Sequence, residues 1–200
     1  MIRLAILLGA VLALAACGAD NKWAPDDVVS RAAYITGEPP SITLYTVVKK
    51  SNGEGGHSAL MIDASQRVLF DPAGSWEHPS VPERHDVHYG ITERMRKFFI
   101  DYHAREVWDV VEQKVYVSPQ VAELALQKVQ QYGAVPSAFC ANSTSTILRE
   151  LPGFQGIPRT FSPVKTMNAF ARLPGVVTER YEDGDPANNS GVLILQKSQL

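Results

Sequence analysis

Two residues of this chain have the types that nucleophilic chemistry needs, Cys140 and His57. Cys140 lies in "PSAFCANSTSTILREL" (136–151), which reads as a helix with Ser137 as N-cap and Ile147, Leu148 and Leu151 on its buried side. A thiol in the first turn of a helix meets backbone N–H groups without intrahelical acceptors and the positive end of the helix dipole. Both favour the thiolate, and the same N–H groups suit an oxyanion. The plainer reading is a small buried hydrophobe between Phe139 and Ala141. His57 follows Gly55-Gly56 and opens the apolar run "HSALMI" (57–62). An imidazole within reach of a thiol is its natural general base, whereas a histidine at a strand end is otherwise a surface or satisfied core residue.

A third polar group would orient the imidazole, and Asp71 is the candidate. It ends "RVLFD" (67–71), the partner of the His57 run in a predicted hairpin. With a three-residue turn at 63–65, Ile62 pairs with Gln66, and His57 lies opposite Asp71 on one face. With a four-residue turn Asp71 slips opposite Ser58 and points away. The sequence leaves both registers open, and Asp71-Pro72 is also ordinary turn chemistry.

The elements that must position these residues read as follows. Residues 25–35 form a short helix with acidic residues in its first turn. "SITLYTVVKK" (41–50) is a strand, β-branched and aromatic. Residues 71–90, rich in Pro, Gly and His, form a long loop. "RKFFIDY" and "EQKVYVS" read as a further antiparallel pair. "SPQVAELALQKVQQYG" (118–133) is the clearest helix, with Ser118 as cap, Pro119 at its first position and Gly133 at its end. Residues 162–173 repeat the Ser-Pro start, and "GVLILQK" (191–197) reads as a terminal strand in mid-sheet. Strands first and helices later argue for α+β with an antiparallel sheet and helices packed on one side of it.

The chain begins "MIRLAILLGAVLALAACG": one positive charge, an apolar run, then small residues before Cys17. That is the pattern of a secretory signal peptide. "LAAC" resembles a bacterial lipobox, which implies lipidation of Cys17 by diacylglycerol and palmitate. Gly18, in place of Asp, resembles the Gram-negative lipoproteins sent to the outer membrane. The expected organisation is a signal peptide at 1–16, a lipidated tether at 17–25, and one domain at 26–200 held to the membrane by lipid. About 175 residues suit one full-sized core. Removing Arg3 leaves 18 basic against 21 acidic residues, so no nucleic-acid footprint is expected. With Cys17 lipidated, Cys140 is the remaining thiol in an oxidising compartment, either inert or reactive by design.

A histidine first on a strand, then a hairpin, then a cysteine at a helix start far downstream resembles the circularly permuted branch of the NlpC-type papain-like cysteine hydrolases. "GHSALMI" supplies the histidine strand and "YGAVPSAFCANSTSTIL" the cysteine helix, within a resemblance covering about residues 41 to 165. It implies a Cys–His hydrolase or transferase acting on amide or ester bonds of cell-wall peptides or lipids, on the periplasmic side of the outer membrane. Carried over, Cys140 is the nucleophile and His57 the base. Tyr132 matches a tyrosine upstream of the family's cysteine and would support the oxyanion, or else pack in the last turn of its helix. The family's third polar residue lies slightly closer to the histidine than Asp71 does, at a position where this chain has Leu69. No cofactor and no metal are expected. His78, His85, His88 and His103 offer ligand types, but "HDVH" sits in a loop rather than on a helix face. The rival reading is a non-catalytic envelope lipoprotein that binds peptidoglycan or a protein partner through the same cleft.

Overall fold

The computed structural model describes residues 19 and 21–199. Cys17 and the expected signal peptide lie outside the described residues. Among the described residues, six helices and seven strands follow in chain order: α1 (Asp26–Ala32), β1 (Ser41–Lys49), β2 (Gly55–Asp63), β3 (Arg67–Phe70), β4 (Glu83–Arg84), β5 (Val87–Tyr89), α2 (Glu93–His103), β6 (Trp108–Tyr116), α3 (Pro119–Tyr132), α4 (Cys140–Arg149), α5 (Pro163–Phe170), β7 (Val177–Tyr181) and α6 (Asn189–Lys197). The strands make one antiparallel sheet in the order β4-β5-β3-β2-β1-β6-β7. The chain is α+β.

β1 and β2 are central because they are apolar on both faces. Ile42, Leu44, Leu60 and Ile62 face one core with Ala125, Val129, Ile147, Leu148 and Phe170 of α3, α4 and α5. Tyr45, Val47, Ala59 and Met61 face a second core with Met95, Phe99, Ile100 and Tyr102 of α2 and Val192 of α6. Helices therefore cover both faces, where one covered side was expected. The correction has a local cause: both helices of the second layer read as strands in the sequence. Phe98, Phe99 and Ile100 look β-like, yet Thr92 caps Met95 N–H, and Met95, Phe99 and Tyr102 recur at helical spacing. At 191–197 the short apolar run fits either period. Asn188 accepts from Gly191 N–H and starts a helix, which buries Val192 and Gln196.

Other boundaries shift less. α3 has the expected Ser118 cap and first-turn Pro119, and Gly133 follows at φ +86°. α4 starts at Cys140 behind Phe139, so Ser137 is not its cap. The 71–90 loop carries the two short strands β4 and β5, and β7 pairs with β6 where no strand was expected. Trp23 and Ala24, at the end of the predicted tether, join the fold: Ala24 N–H donates to Glu83 O (3.0 Å), and Arg84 stacks over Trp23 at 4.6 Å. Among the described residues, no helix is long and apolar enough to cross a membrane.

Candidate active site

The β2–β3 hairpin sets the geometry. Its ladder pairs Leu60 with Phe70, Ile62 with Val68 and Asp63 with Arg67. The loop is Ala64–Gln66, and neither register considered from the sequence is the observed one. Buried Asp63 fixes the turn by accepting from Arg67 Nε (2.7 Å) and Ser41 Oγ (3.2 Å). Continuing the ladder by one residue sets Asp71 opposite Ala59, two residues from His57 and on the same face, because side chains alternate with period two. Diagonal neighbours of this kind are within reach of long side chains. His57 Nε2 and Asp71 Oδ1 are 2.6 Å apart. Asp71 is fully buried and the His57 side chain is 14 % exposed.

Asp71 is held from behind. Its N–H donates to Asp86 O (2.8 Å), and its carbonyl accepts from Gly74 N–H (2.9 Å). Gly74 lies so close beneath the carboxylate that a Cβ there would stand 1.9 Å from Oδ2. Oδ2 itself is buried without a hydrogen-bond partner.

Cys140 is the first residue of α4 and is 8 % exposed. α4 is pinned to the histidine strand by Ser58 Oγ and Thr144 Oγ1, both buried and 3.0 Å apart. Burial pushes the Cys140 thiol up. The hydrogen bond and charge of His57, with the backbone N–H groups of Ala141 and Ser58, outweigh it and hold the thiol below its ordinary pKa. Burial pushes the His57 imidazole down, but the Asp71 carboxylate and then Cys140 raise it to about 10. Burial likewise raises Asp71, and the charge and hydrogen bond of His57 bring it below the usual carboxylate value. With Nε2 committed to Asp71, Nδ1 is the ring nitrogen left for Cys140.

Tyr132 stands at the end of α3, its ring edge-on to Phe70 at 5.7 Å, in a shallow hollow with Thr146, Ile147 and Glu150. That places it beside the later turns of α4. The surface beside Cys140 is aromatic instead: Phe139 and Phe161 are exposed and meet edge-to-face at 5.1 Å.

His103 is the residue whose place beside His57 the sequence reading missed. It ends α2 and lies parallel to the His57 ring, with centroids 5.4 Å apart. Reading 96–102 as a strand hid the face that brings it there. The ligating atoms of His57, Asp71 and His103 lie within 4.8 Å of one another, so this trio has donors of the type a metal takes, although Asp71 Oδ1 is already engaged by His57. The other histidines do not converge: His78 is 3.2 Å from Gln196 O, His85 packs on Trp23 and His88 on Trp76. Two clefts, of about 330 and 390 Å³, lie elsewhere, one around Trp23 and His78 and one around Arg96 and Glu112.

Comparison with family models, with curated proteins and with solved structures finds no match to this chain.

Proposed function

We propose that this chain is a cell-envelope lipoprotein with a cysteine hydrolase site of the permuted papain-like kind, in which Cys140 is the nucleophile, His57 the general acid and base, and Asp71 the orienting carboxylate. The observation that carries the reading is the placement of His57. Asp71 grips one ring nitrogen at 2.6 Å, and His57 is the charged partner that lowers the thiol at the start of α4. A nucleophile, a base and an orienter in that order form a catalytic triad by role.

The chemistry follows from the charges. With the thiol lowered and the imidazole raised, the resting pair is thiolate and imidazolium. The Cys140 sulfur attacks the acyl carbon of an amide or ester. The oxyanion that forms is met by N–H groups of the first turn of α4, which lack intrahelical acceptors. As the C–N or C–O bond breaks, His57 gives its proton to the leaving amine or alkoxide, and an acyl-thioester remains. Neutral His57 then takes a proton from water, hydroxide attacks the thioester, the C–S bond breaks to release the acyl group as a carboxylic acid, and thiolate and imidazolium are restored. The substrate is a cell-wall peptide or a lipid acyl group, and the anchor is lipidated Cys17, on the periplasmic side of the outer membrane.

The test is the rate of iodoacetamide adduct formation at Cys140, read by peptide mass on the full chain across pH, for wild type and His57→Ala. Fast labelling well below pH 8 that slows in His57→Ala supports the site. Labelling that tracks an ordinary thiol near pKa ~8.5 in both proteins overturns it and favours the binding-protein reading.

A further inference from the structure

We propose that His103 is a positioning residue for this site: its ring, locked at the end of α2, is the flat wall that holds the His57 imidazole with one nitrogen on Asp71 and the other toward Cys140. The proposal rests on the reading of Cys140 and His57 given above and adds a residue to it.

The locking is visible on each side of the ring. His103 Nδ1–H donates to Phe99 O one turn back, at 2.9 Å. That bond fixes the tautomer and leaves the lone pair on Nε2. The Phe99 ring packs against His103 at 4.4 Å, and the Tyr102 ring meets it edge-on at 4.9 Å. The Tyr102 hydroxyl is in turn 2.8 Å from Ser75 Oγ, on the turn that carries Asp71 and Gly74. The end of α2 therefore clamps the His57 ring and the Asp71 turn together. Between them the two imidazoles lie 4° from parallel at 5.4 Å, within the range of offset stacking.

Stacking on a neutral ring suits a charged partner. The charged groups facing His103 are His57 on β2 and Asp71 after β3. Burial, then the neighbouring His57 charge, push His103 down to about 4, and Asp71 only partly offsets them. At neutral pH one ring carries the proton and the other offers its π face. A cation over an aromatic face is attracted to it, more strongly when both are out of water. A charged His103 would instead repel the imidazolium and compete for Asp71.

The test compares His103→Phe, which keeps a flat ring, with His103→Leu, which keeps apolar bulk without a π face. Two readouts are taken on the full chain: the pH profile of Cys140 alkylation, and the titration of the His57 ring by NMR. We expect His103→Leu to slow labelling at pH 6 by about tenfold and to lower the pH at which His57 titrates, and His103→Phe to restore both to within about threefold. Wild-type behaviour in His103→Leu, or equal losses in both variants, overturns the positioning role. If Cys140 of the wild type labels like an ordinary thiol, the hydrolase reading fails. The His57 titration still decides the positioning role, because it does not depend on the thiol's reactivity.

Discussion

His57 and Asp71 are not cross-strand partners but diagonal neighbours, joined through Nε2 and Oδ1 at 2.6 Å across the open end of the β2–β3 hairpin. β3 stops at Phe70, so Asp71 has left the ladder and its carboxylate can reach along the face to His57. Neutralising it in Asp71→Asn keeps an acceptor for Nε2–H but removes the charge. An opposite charge at this distance changes an ionisation constant by at least about tenfold, so Cys140 alkylation at pH 6 should slow by about that factor or more.

The same variant makes a prediction about stability. His57 titrates higher when folded, about 10 against an ordinary 6.5. Its contribution is therefore whole below 6.5 and is lost as pH rises through about 10. Asp71 titrates below its ordinary 3.8, so its contribution is whole above 3.8 and is lost as pH falls through the lowered folded value. The advantage of wild type over Asp71→Asn should be largest between pH 3.8 and 6.5 and shrink toward pH 10. Urea unfolding at pH 5.5 and pH 10 checks this, and a difference that does not change with pH would show that charge is not what holds the pair.

Gly74 offers a way to disturb the site without touching its polar atoms. Its Cα lies against the Asp71 carboxylate, and the Cβ of Gly74→Ala would overlap Oδ2, so Asp71 must move. Oδ2 has no hydrogen bond to resist the displacement, which falls on the Oδ1–His57 contact. Overpacking of this kind costs about 1–3 kcal/mol, and Cys140 labelling should slow as in Asp71→Asn. Gly156→Ala, where an added Cβ meets nothing within 4 Å, is the matched control and should leave both readouts unchanged. Labelling at the wild-type rate in Gly74→Ala would mean that the Asp71 carboxylate does not control Cys140.

The site was legible where local chemistry alone decides. The apolar runs of β1 and β2 and the caps of α3 are short-range signals. For Asp71 only parity mattered: of the two registers the sequence left open, the three-residue turn differs from the observed ladder by two residues, and an even slip returns the same side chains to the same face, whereas the four-residue turn differs by one and turns them away. The second helical layer was not legible. "RKFFIDY" has strand-like residues at helical spacing, and the deciding cap, Thr92, lies outside the run. Losing that helix lost His103, because a histidine reaches β2 only from the last turn of α2. Asp86 gave no sequence signal either. Its role comes from backbone groups distant in sequence, which no spacing records.

Asp86 ties both halves of the site together and does so at an electrostatic cost. Its carbonyl accepts the Asp71 N–H at 2.8 Å, and its carboxylate accepts Val135 N–H at 2.7 Å and also the N–H of Ala73. Val135 lies in the segment that leads into Cys140. Burial raises this carboxyl to about 6, Glu83 and Asp71 add to the rise, and the two N–H groups only partly oppose it. The folded pKa is above the ordinary 3.8, so the folded chain binds more protons between those values and gains stability as pH falls through that window. The gain is at most about 3 kcal/mol. Asp86→Asn keeps an amide oxygen for an N–H group, tolerates the positive φ of +65° at this residue, and cannot ionise. We expect it to match or exceed wild type at pH 7.5 and to lack the relative gain that wild type shows between pH 6.5 and 4.5. Unfolding free energies at those three values test the prediction. An Asp86→Asn chain much weaker at pH 7.5 would mean that the ionised carboxylate's hydrogen bonds outweigh its burial, and that Asp86 holds the Asp71 turn and the Cys140 approach by charge.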